Sequence, residues 1–347
     1  MSTIDPATRT TAPATPTGRL RLGILAMDGC MLSSIATASD LLRVAQTLSD
    51  IRHPGALRLE AVVFGARGQS ATPTSVGLQL GGLATAVPED LDLVLLPGLL
   101  HHSPQDLIAR VQTMQPELDL LRSLHLRGVP LAGSCSGSFL FAESGLLDGH
   151  RATCSWWLAT AFRQRYPRVR LEADAMVVED AGLMTAGGAC SLQSLMLRLV
   201  ARAGGEELAQ QTARMLLIDT DRQSQAPYVS QALMEKPRHS LSERAEHFLR
   251  HELHREVSVS ELAEACGTSE RSLLRHFRSH HGVTPMAHIQ NLRVERAKAL
   301  LETTHLSFEE IVERCGYSDS GHFRKLFKRA TAITPGDYRE RYRLRPH

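Results

Sequence analysis

The stretch Cys315-Gly316-Tyr317-Ser318-Asp319-Ser320-Gly321-His322-Phe323-Arg324-Lys325-Leu326-Phe327-Lys328 decides the architecture, because the chain holds a second version of it. About fifty residues upstream stands Cys266-Gly267-Thr268-Ser269-Glu270-Arg271-Ser272-Leu273-Leu274-Arg275-His276-Phe277-Arg278, and self-similarity at that distance marks a repeated structural unit. The repetition runs on in both directions. Ahead of each copy, Ser258-Val259-Ser260-Glu261 and Ser307-Phe308-Glu309-Glu310 carry a Ser with a Glu three residues later, the capping-box signature of a helix start. Behind each copy come Val283-Thr284-Pro285 and Ile333-Thr334-Pro335. Gly267 and Gly316 fall where a helix ends in positive φ, and Ser269 and Ser318 are placed to cap the helix that follows. Each half therefore reads helix, tight turn, helix.

In the second helix of each half, Leu273, Leu274 and Phe277, or Phe323, Leu326 and Phe327, recur at helical spacing. The opposite face carries Arg271, Arg275 and Arg278, or Arg324, Lys325 and Lys328. A short helix braced by its apolar face, with cations and small polar groups outward, has the shape and charge to enter a DNA major groove. A lone hairpin of this kind is more often a solvated basic face; two copies in register favour DNA.

Residues 241–347 resemble the AraC/XylS type of DNA-binding domain, in which two helix-turn-helix units are joined by a long helix, here Pro285 to Glu302. The resemblance implies double-stranded DNA as partner and two recognition helices in successive major grooves. It places base-reading positions at Arg271, Leu274 and Arg275 in the first helix and at Ser320, Gly321, His322 and Lys325 in the second. Leu274 and Gly321 offer a base edge no side-chain hydrogen bond. The expected DNA-binding set is Arg271, Ser272, Arg275, Ser320, His322, Arg324, Lys325 and Lys328, with Lys328 at a phosphate.

Composition agrees without deciding the matter. The 347 residues allow two or three domains, and 43% hydrophobic with 22% charged residues is ordinary for a soluble protein. Net charge is only +2, but residues 241–347 hold 18 Lys and Arg against 15 Asp and Glu, a net +3, together with ten of the sixteen His. The basic excess thus sits in the repeat. No apolar run reaches the length of about 18 residues that a membrane span needs. The six Cys are scattered, with no CxxC or Cys/His metal spacing, so reduced thiols in a cytoplasmic protein are expected, with no metal and no cofactor. Residues 1–18 are rich in Thr, Ala and Pro and read as a disordered tail.

Residues 19–218 read as alternating strands and helices, the pattern of a parallel sheet sandwiched by helices. Strands are expected at Arg19–Ala26, Leu57–Gly65, Leu91–Leu96, Val129–Gly133, Asp174–Glu179 and Leu183–Ala186. Helices are expected at Asp40–Asp50, Ser103–Leu126, Ser191–Ala203 and Glu206–Ile218, with 66–90 irregular. Residues 219–240 are polar and aperiodic and read as the interdomain linker.

After the fourth strand, Gly133-Ser134-Cys135-Ser136-Gly137 turns sharply from strand into helix, the elbow geometry of G-x-S-x-G with sulfur in place of oxygen. With Leu-Pro-Gly at 96–98 and Gly145-Leu146-Leu147-Asp148-Gly149-His150-Arg151-Ala152-Thr153, this resembles the class I glutamine amidotransferase-like, PfpI-type domain. Followed by AraC-type helices, it is similar to the GlxA-type transcriptional regulators. The implied fold is a flavodoxin-like parallel sheet sandwich plus an all-α double helix-turn-helix domain, and the implied function is that of a regulator, dimerising and not enzymatic. Nucleophilic catalysis at Cys135 needs a base within hydrogen-bond reach. The His that follows the Cys in PfpI-type enzymes is Ser136 here, and the His that precedes the first Trp in many GlxA-type proteins is Ser155. His101 and His102 are the remaining candidates. A ligand pocket is expected at the elbow, lined by Gly98, Leu99, Cys135, Ser136 and Trp156, because open α/β sheets bind ligands at the carboxyl ends of their strands. The resemblance points to a small nitrogenous metabolite, an amino acid or a quaternary amine, for which Trp156 offers a cation–π face. The rival readings are a cysteine-dependent amidase and a thiol redox sensor in which Cys154 or Cys190 resolves Cys135.

Overall fold

A computed structural model of the chain describes residues 18–230 and 240–343. The tail assigned to residues 1–18, save Gly18, and residues 231–239 of the segment read as linker lie outside the described residues. The chain divides into two compact units. One runs up to Leu147 and resumes over Glu179–Asp221; the other combines Asp148–Val178 with everything from Arg222 onward.

In the first unit the order is β1 (Arg19–Ala26), α1 (Leu32–Arg52), β2 (Arg58–Gly65), a small hairpin of β3 (Ala71–Pro73) and β4 (Gln79–Gly81), β5 (Leu93–Leu96), α2 (Pro104–Gln112), α3 (Gln115–Leu126), β6 (Leu131–Ser134) and α4 (Ser138–Glu143). The short strands β7 (Arg151–Ala152) and β8 (Arg170–Leu171), with α5 (Ala159–Arg165) between them, belong to the second unit. The boundary falls within β9 (Val177–Asp180); β10 (Leu183–Ala186), α6 (Ser191–Gly204) and α7 (Glu206–Met215) complete the first.

The main sheet runs β2-β1-β5-β6-β10-β9, and β2, β1, β5, β6 and β10 are mutually parallel. This is the doubly wound, flavodoxin-like sheet that the alternation predicts. Leu93-Val94-Leu95-Leu96 is buried along its whole length, as a central strand covered on both faces must be. The chain winds outward from β1 to β2 and then returns to start β5 on the other side. The switch point therefore lies between β1 and β5, where the carboxyl ends of β1, β5 and β6 meet.

Several boundaries differ from the sequence expectation. Helix α1 begins eight residues before Asp40, because Met31 precedes it with no side-chain cap and the first turns carry small residues without a clear stripe. The single helix expected over Ser103–Leu126 is two: Ser103 caps α2, and Pro116 opens α3 after a break at Thr113–Met114. Within 66–90 the β3–β4 hairpin is regular. Helix α7 stops at Met215, short of Ile218.

The second unit is dominated by seven helices: α8 (Ser240–Glu252), α9 (Val259–Ala265), α10 (Glu270–His280), α11 (Pro285–Thr303), α12 (Phe308–Arg314), α13 (Ser320–Thr331) and α14 (Pro335–Tyr342). They close two separate cores. Leu249, Leu262, Leu273 and Phe277 pack with Ile289 near the start of α11, and Ile311, Phe323, Phe327 and Tyr338 pack with Val294, Ala297 and Leu301 farther along it. One helix thus supplies a wall to both cores. Part of the expected linker is also built into this unit: Gln225 is 3% exposed, and Ala226–Tyr228 forms a single 3-10 turn.

Candidate nucleic-acid interface

Each of α10 and α13 is set by its caps. Ser258 and Ser307 close full capping boxes with Glu261 and Glu310, so α9 and α12 start where the sequence places them. Gly267 and Gly316 follow these helices with φ of 62° and 75°. Ser269 then caps α10 by accepting from the Ser272 amide. In the second copy the cap is Asp319, not Ser318: its carboxylate accepts from the amides of Gly321 at 2.8 Å and His322 at 3.0 Å. Those two bonds hold the Asp319 pKa below its ordinary value. The shift has a simple cause. The second turn is one residue longer, so the cysteines lie 49 positions apart and the buried pairs Leu273/Phe323 and Phe277/Phe327 lie 50 apart.

Of the expected apolar stripes, Leu273, Phe277, Phe323, Leu326 and Phe327 are buried, whereas Leu274 is only half-buried and turns to the surface beside Arg271 and Arg275. Arg271, Arg275 and Arg278 on α10, and His322, Arg324, Lys325 and Lys328 on α13, are exposed on the outer faces; Ser272 and Ser320 are half-buried. Arg271, Leu274, Arg275 and Arg278 line one open surface hollow with Glu270 and Ser279. Arg324 stacks over the Phe308 ring at 5.1 Å, and His322 lies against Tyr317 with ring centroids 6.0 Å apart. Tyr317 is braced from below by Arg293 of α11, whose guanidinium sits 4.8 Å from the ring centroid. Arg293 is itself buried and donates to the Arg255 carbonyl, so a residue of the connecting helix supports the entry to the second reading helix. No sequence signal marks that role, because an Arg on a helix reads as solvated.

The histidines also depart from the sequence picture of a simple basic excess. His276 and His288 are buried, and His281 sits between them, 4.8 Å from His288 and 4.6 Å from the Phe277 ring by centroid. Ser242 Oγ lies 2.7 Å from His276 Nε2 and 3.1 Å from His281 Nε2. Burial, with repulsion from His288 and His276, lowers the His281 pKa to about 4. Burial alone lowers His288 to about 4. The imidazoles of His281 and His288 are therefore neutral near pH 7 and add nothing to the positive field.

At the elbow of the first unit, Cys135 holds a φ of 56°, a left-handed conformation that costs a non-glycine residue about 1–2 kcal/mol. The structure brings Gly98, Leu99, Cys135 and Ser136 together: a Cβ on Gly98 would lie 3.3 Å from both Cys135 Cβ and Ser136 Oγ. Ser136 is fully buried, accepts from the Leu99 amide at 2.7 Å and donates to the Leu99 carbonyl at 3.1 Å. The hydroxyl is thus committed to bracing the β5 loop. His101 Nδ1 is bonded to the Leu99 carbonyl at 2.9 Å. Trp156 belongs to the other compact unit, half-buried and edge-on to Trp157 at 5.4 Å between centroids. Cys154 is in that unit too, whereas Cys190 is an exposed thiol of the first. Among the described residues, no cluster of three or more His, Cys, Asp or Glu has the arrangement of a metal site, and no helix is long and apolar enough to cross a membrane.

Residues 229–341 match a family described as a helix-turn-helix domain. The HTH-type transcriptional regulator CdhR of Pseudomonas aeruginosa is 33% identical over 223 residues, covering 63% of this chain and 65% of that one. The HTH-type transcriptional regulator GbdR of the same species is 27% identical over 326 residues, covering 92% and 84%. The HTH-type transcriptional regulator GlxA of Rhizobium meliloti is 29% identical over 222 residues, covering 64% and 68%. The chain therefore spans just under two thirds of the length of CdhR and more of the other two. Residues 229–341 thus match a helix-turn-helix domain, and the chain is similar to HTH-type transcriptional regulators, GlxA among them.

Proposed function

We propose that the chain is a sequence-specific transcriptional regulator that reads double-stranded DNA with α10 and α13. The single observation that carries this reading is the pair of reading helices, each buried on one face and cationic on the other, mounted on one connecting helix. Arg271, Ser272 and Arg275 read one stretch of base edges, and Ser320, His322 and Lys325 another. Arg324 and Lys328 neutralise phosphates. Arg and Lys suit guanine edges, and each good bidentate contact contributes about 1–3 kcal/mol of discrimination.

The α/β domain, residues 19–218, acts as the sensor and as the dimerising part of a cytoplasmic protein. The reader is 241–347, and the segment 219–240 that leads to it carries residues 224–229, anchored within the second compact unit. Its effector is a small nitrogenous metabolite, an amino acid or quaternary amine, received by Gly98, Leu99, Cys135 and Ser136; Trp156, expected beside them, belongs to the other compact unit. The commitment of Ser136 to Leu99 supports this over an amidase, since the position after the thiol carries a hydroxyl held by the β5 loop and not an imidazole.

A duplex selected by the full chain from a random-sequence pool provides the test. Arg275→Ala and His322→Ala each weaken the selected duplex by about 1–3 kcal/mol and relax its sequence, whereas Lys328→Ala weakens all sequences alike and lowers the salt slope by about 1. Unchanged affinity in all three variants refutes the assignment. Calorimetry against amines and amino acids tests the sensor, and a binder indifferent to Cys135→Ala places the effector elsewhere.

A further inference from the structure

Residues 224–229 have two anchored ends, both within the second compact unit. At the upstream end, Ser224 and Ala175 form an antiparallel bridge, and the Gln225 amide donates to the Asp174 carbonyl at 2.7 Å. The Gln225 side chain is buried, and its Nε2 lies 3.0 Å from the Cys154 carbonyl, 2.9 Å from that of Ala173 and 3.0 Å from that of Ala175. A buried primary amide has two protons, and here the backbone of two separate segments competes for them. Cys154 stands two residues before Trp156, and Thr153, Cys154 and Ser155 between them expose nothing.

At the downstream end, the Ala226–Tyr228 turn packs on α13, the second reading helix. The Tyr228 ring meets Tyr342 of α14 edge-on at 5.6 Å. One residue later the Val229 carbonyl accepts from Lys298 Nζ of α11. Lys298 is 5% exposed; its ammonium also reaches Glu295 at 2.9 Å and lies 6.0 Å from the Tyr338 ring centroid. A buried ammonium is stabilised only by such partners, so the Val229 carbonyl is part of what makes its burial tolerable.

We propose that residues 224–229 are a strap that couples the Trp156–Trp157 segment to the second helix-turn-helix unit, and that its detachment at either end is the step by which a signal alters DNA reading. The inference rests on the regulator reading for its output and on the contacts above for its mechanism. Six residues joining two buried anchors leave little slack. A displacement of the Thr153–Ser155 backbone therefore pulls on the Gln225 amide, and through the single turn that follows, on the α13 surface. Coupling of this kind is reciprocal: DNA bound at α13 must also change the protection of Gln225.

Hydrogen exchange on the full-length protein tests it. Lys298→Met releases the downstream anchor, and exchange is expected to rise about five- to tenfold at the distant Gln225 and Glu172 amides as well as at Val229. Gln225→Ala is expected to do the same at Tyr228 and Val229, while Lys298→Arg, which keeps the cation, restores protection. Faster exchange confined to the substituted end in both variants overturns the proposal. On a duplex selected from a random pool by the unsubstituted chain, Gln225→Ala, Lys298→Met and the double variant should change affinity by one common factor; additive effects overturn it equally. Failure of the unsubstituted chain to select any duplex refutes the regulator reading instead, and the exchange result still decides the strap.

Discussion

Lowering pH from 7 to 5 should loosen the first helix-turn-helix unit in particular. His281 and His288 have pKa values of about 4 in the folded chain against an ordinary value of 6.5. Their neutral forms are what the folded core accepts, so the unfolded chain binds more protons everywhere between these values. Stability is full above about pH 6.5 and falls as pH drops toward 4. Taken singly, each group loses about 2 kcal/mol between pH 7 and 5. Part of the His281 shift is repulsion from His288, so the two losses overlap and together come to about 2–3 kcal/mol. Glu246 opposes the effect on His281, while His276 and His280 add to it. Hydrogen exchange across residues 240–343 at the two pH values, beside urea midpoints, reads the loss region by region. Protection should fall in α8 to α10 well before it falls in α12 to α14, where the described histidines His305 and His322 are exposed. In His288→Leu the pH 7-to-5 loss should shrink by about half. Equal loss in both halves of the reader, or an unchanged pH dependence in His288→Leu, refutes the reasoning.

The two turn glycines should differ although the sequence presents them as equivalents. A Cβ at Gly316 would stand 2.9 Å from the Leu253 carbonyl oxygen and 3.0 Å from that of Arg255, whereas at Gly267 it meets nothing within 4 Å. Gly267→Ala should cost only the left-handed backbone, about 1–2 kcal/mol, and Gly316→Ala distinctly more, as shown by denaturant midpoints. Equal midpoints would mean that the backbone around Gly316 yields freely. After α13, Ala332 holds a φ of 65° where the first repeat has Gly282 at 70°. Ala332→Gly should therefore stabilise the chain by about 0.5–1 kcal/mol, and a lower midpoint would contradict it.

What the sequence made legible follows from how local the causes are. Capping boxes at Ser258 and Ser307, the positive-φ glycines and the buried stripes of α10 and α13 are written within one or two helical turns, and each is found where expected. Asp319 displaced Ser318 because a single inserted residue changes which side chain stands before the first helical amides, a matter of register. The α/β order was equally readable, since β5 and β6 are short apolar runs bounded by Pro, Gly and Ser. Long-range polar placement was not. Gln225 acquires its role from carbonyls some fifty to seventy positions earlier, and the inward-facing histidines from a packing arrangement that hydropathy patterns do not encode. Arg293 belongs to the same class: a cation reads as surface until Tyr317 and the Arg255 carbonyl are brought to it.

Because α11 lends its flank to two cores at once, it fixes an angle as well as a distance. At about 1.5 Å and 100° per residue, one insertion in its middle would hardly lengthen it yet would swing α13 a quarter-turn or more away from the direction in which α10 points. Exchanging outward side chains can thus retune which bases are favoured at little structural cost. The spacing and phase between α10 and α13, by contrast, are locked into the rod itself, and any duplex that both helices read must conform to them.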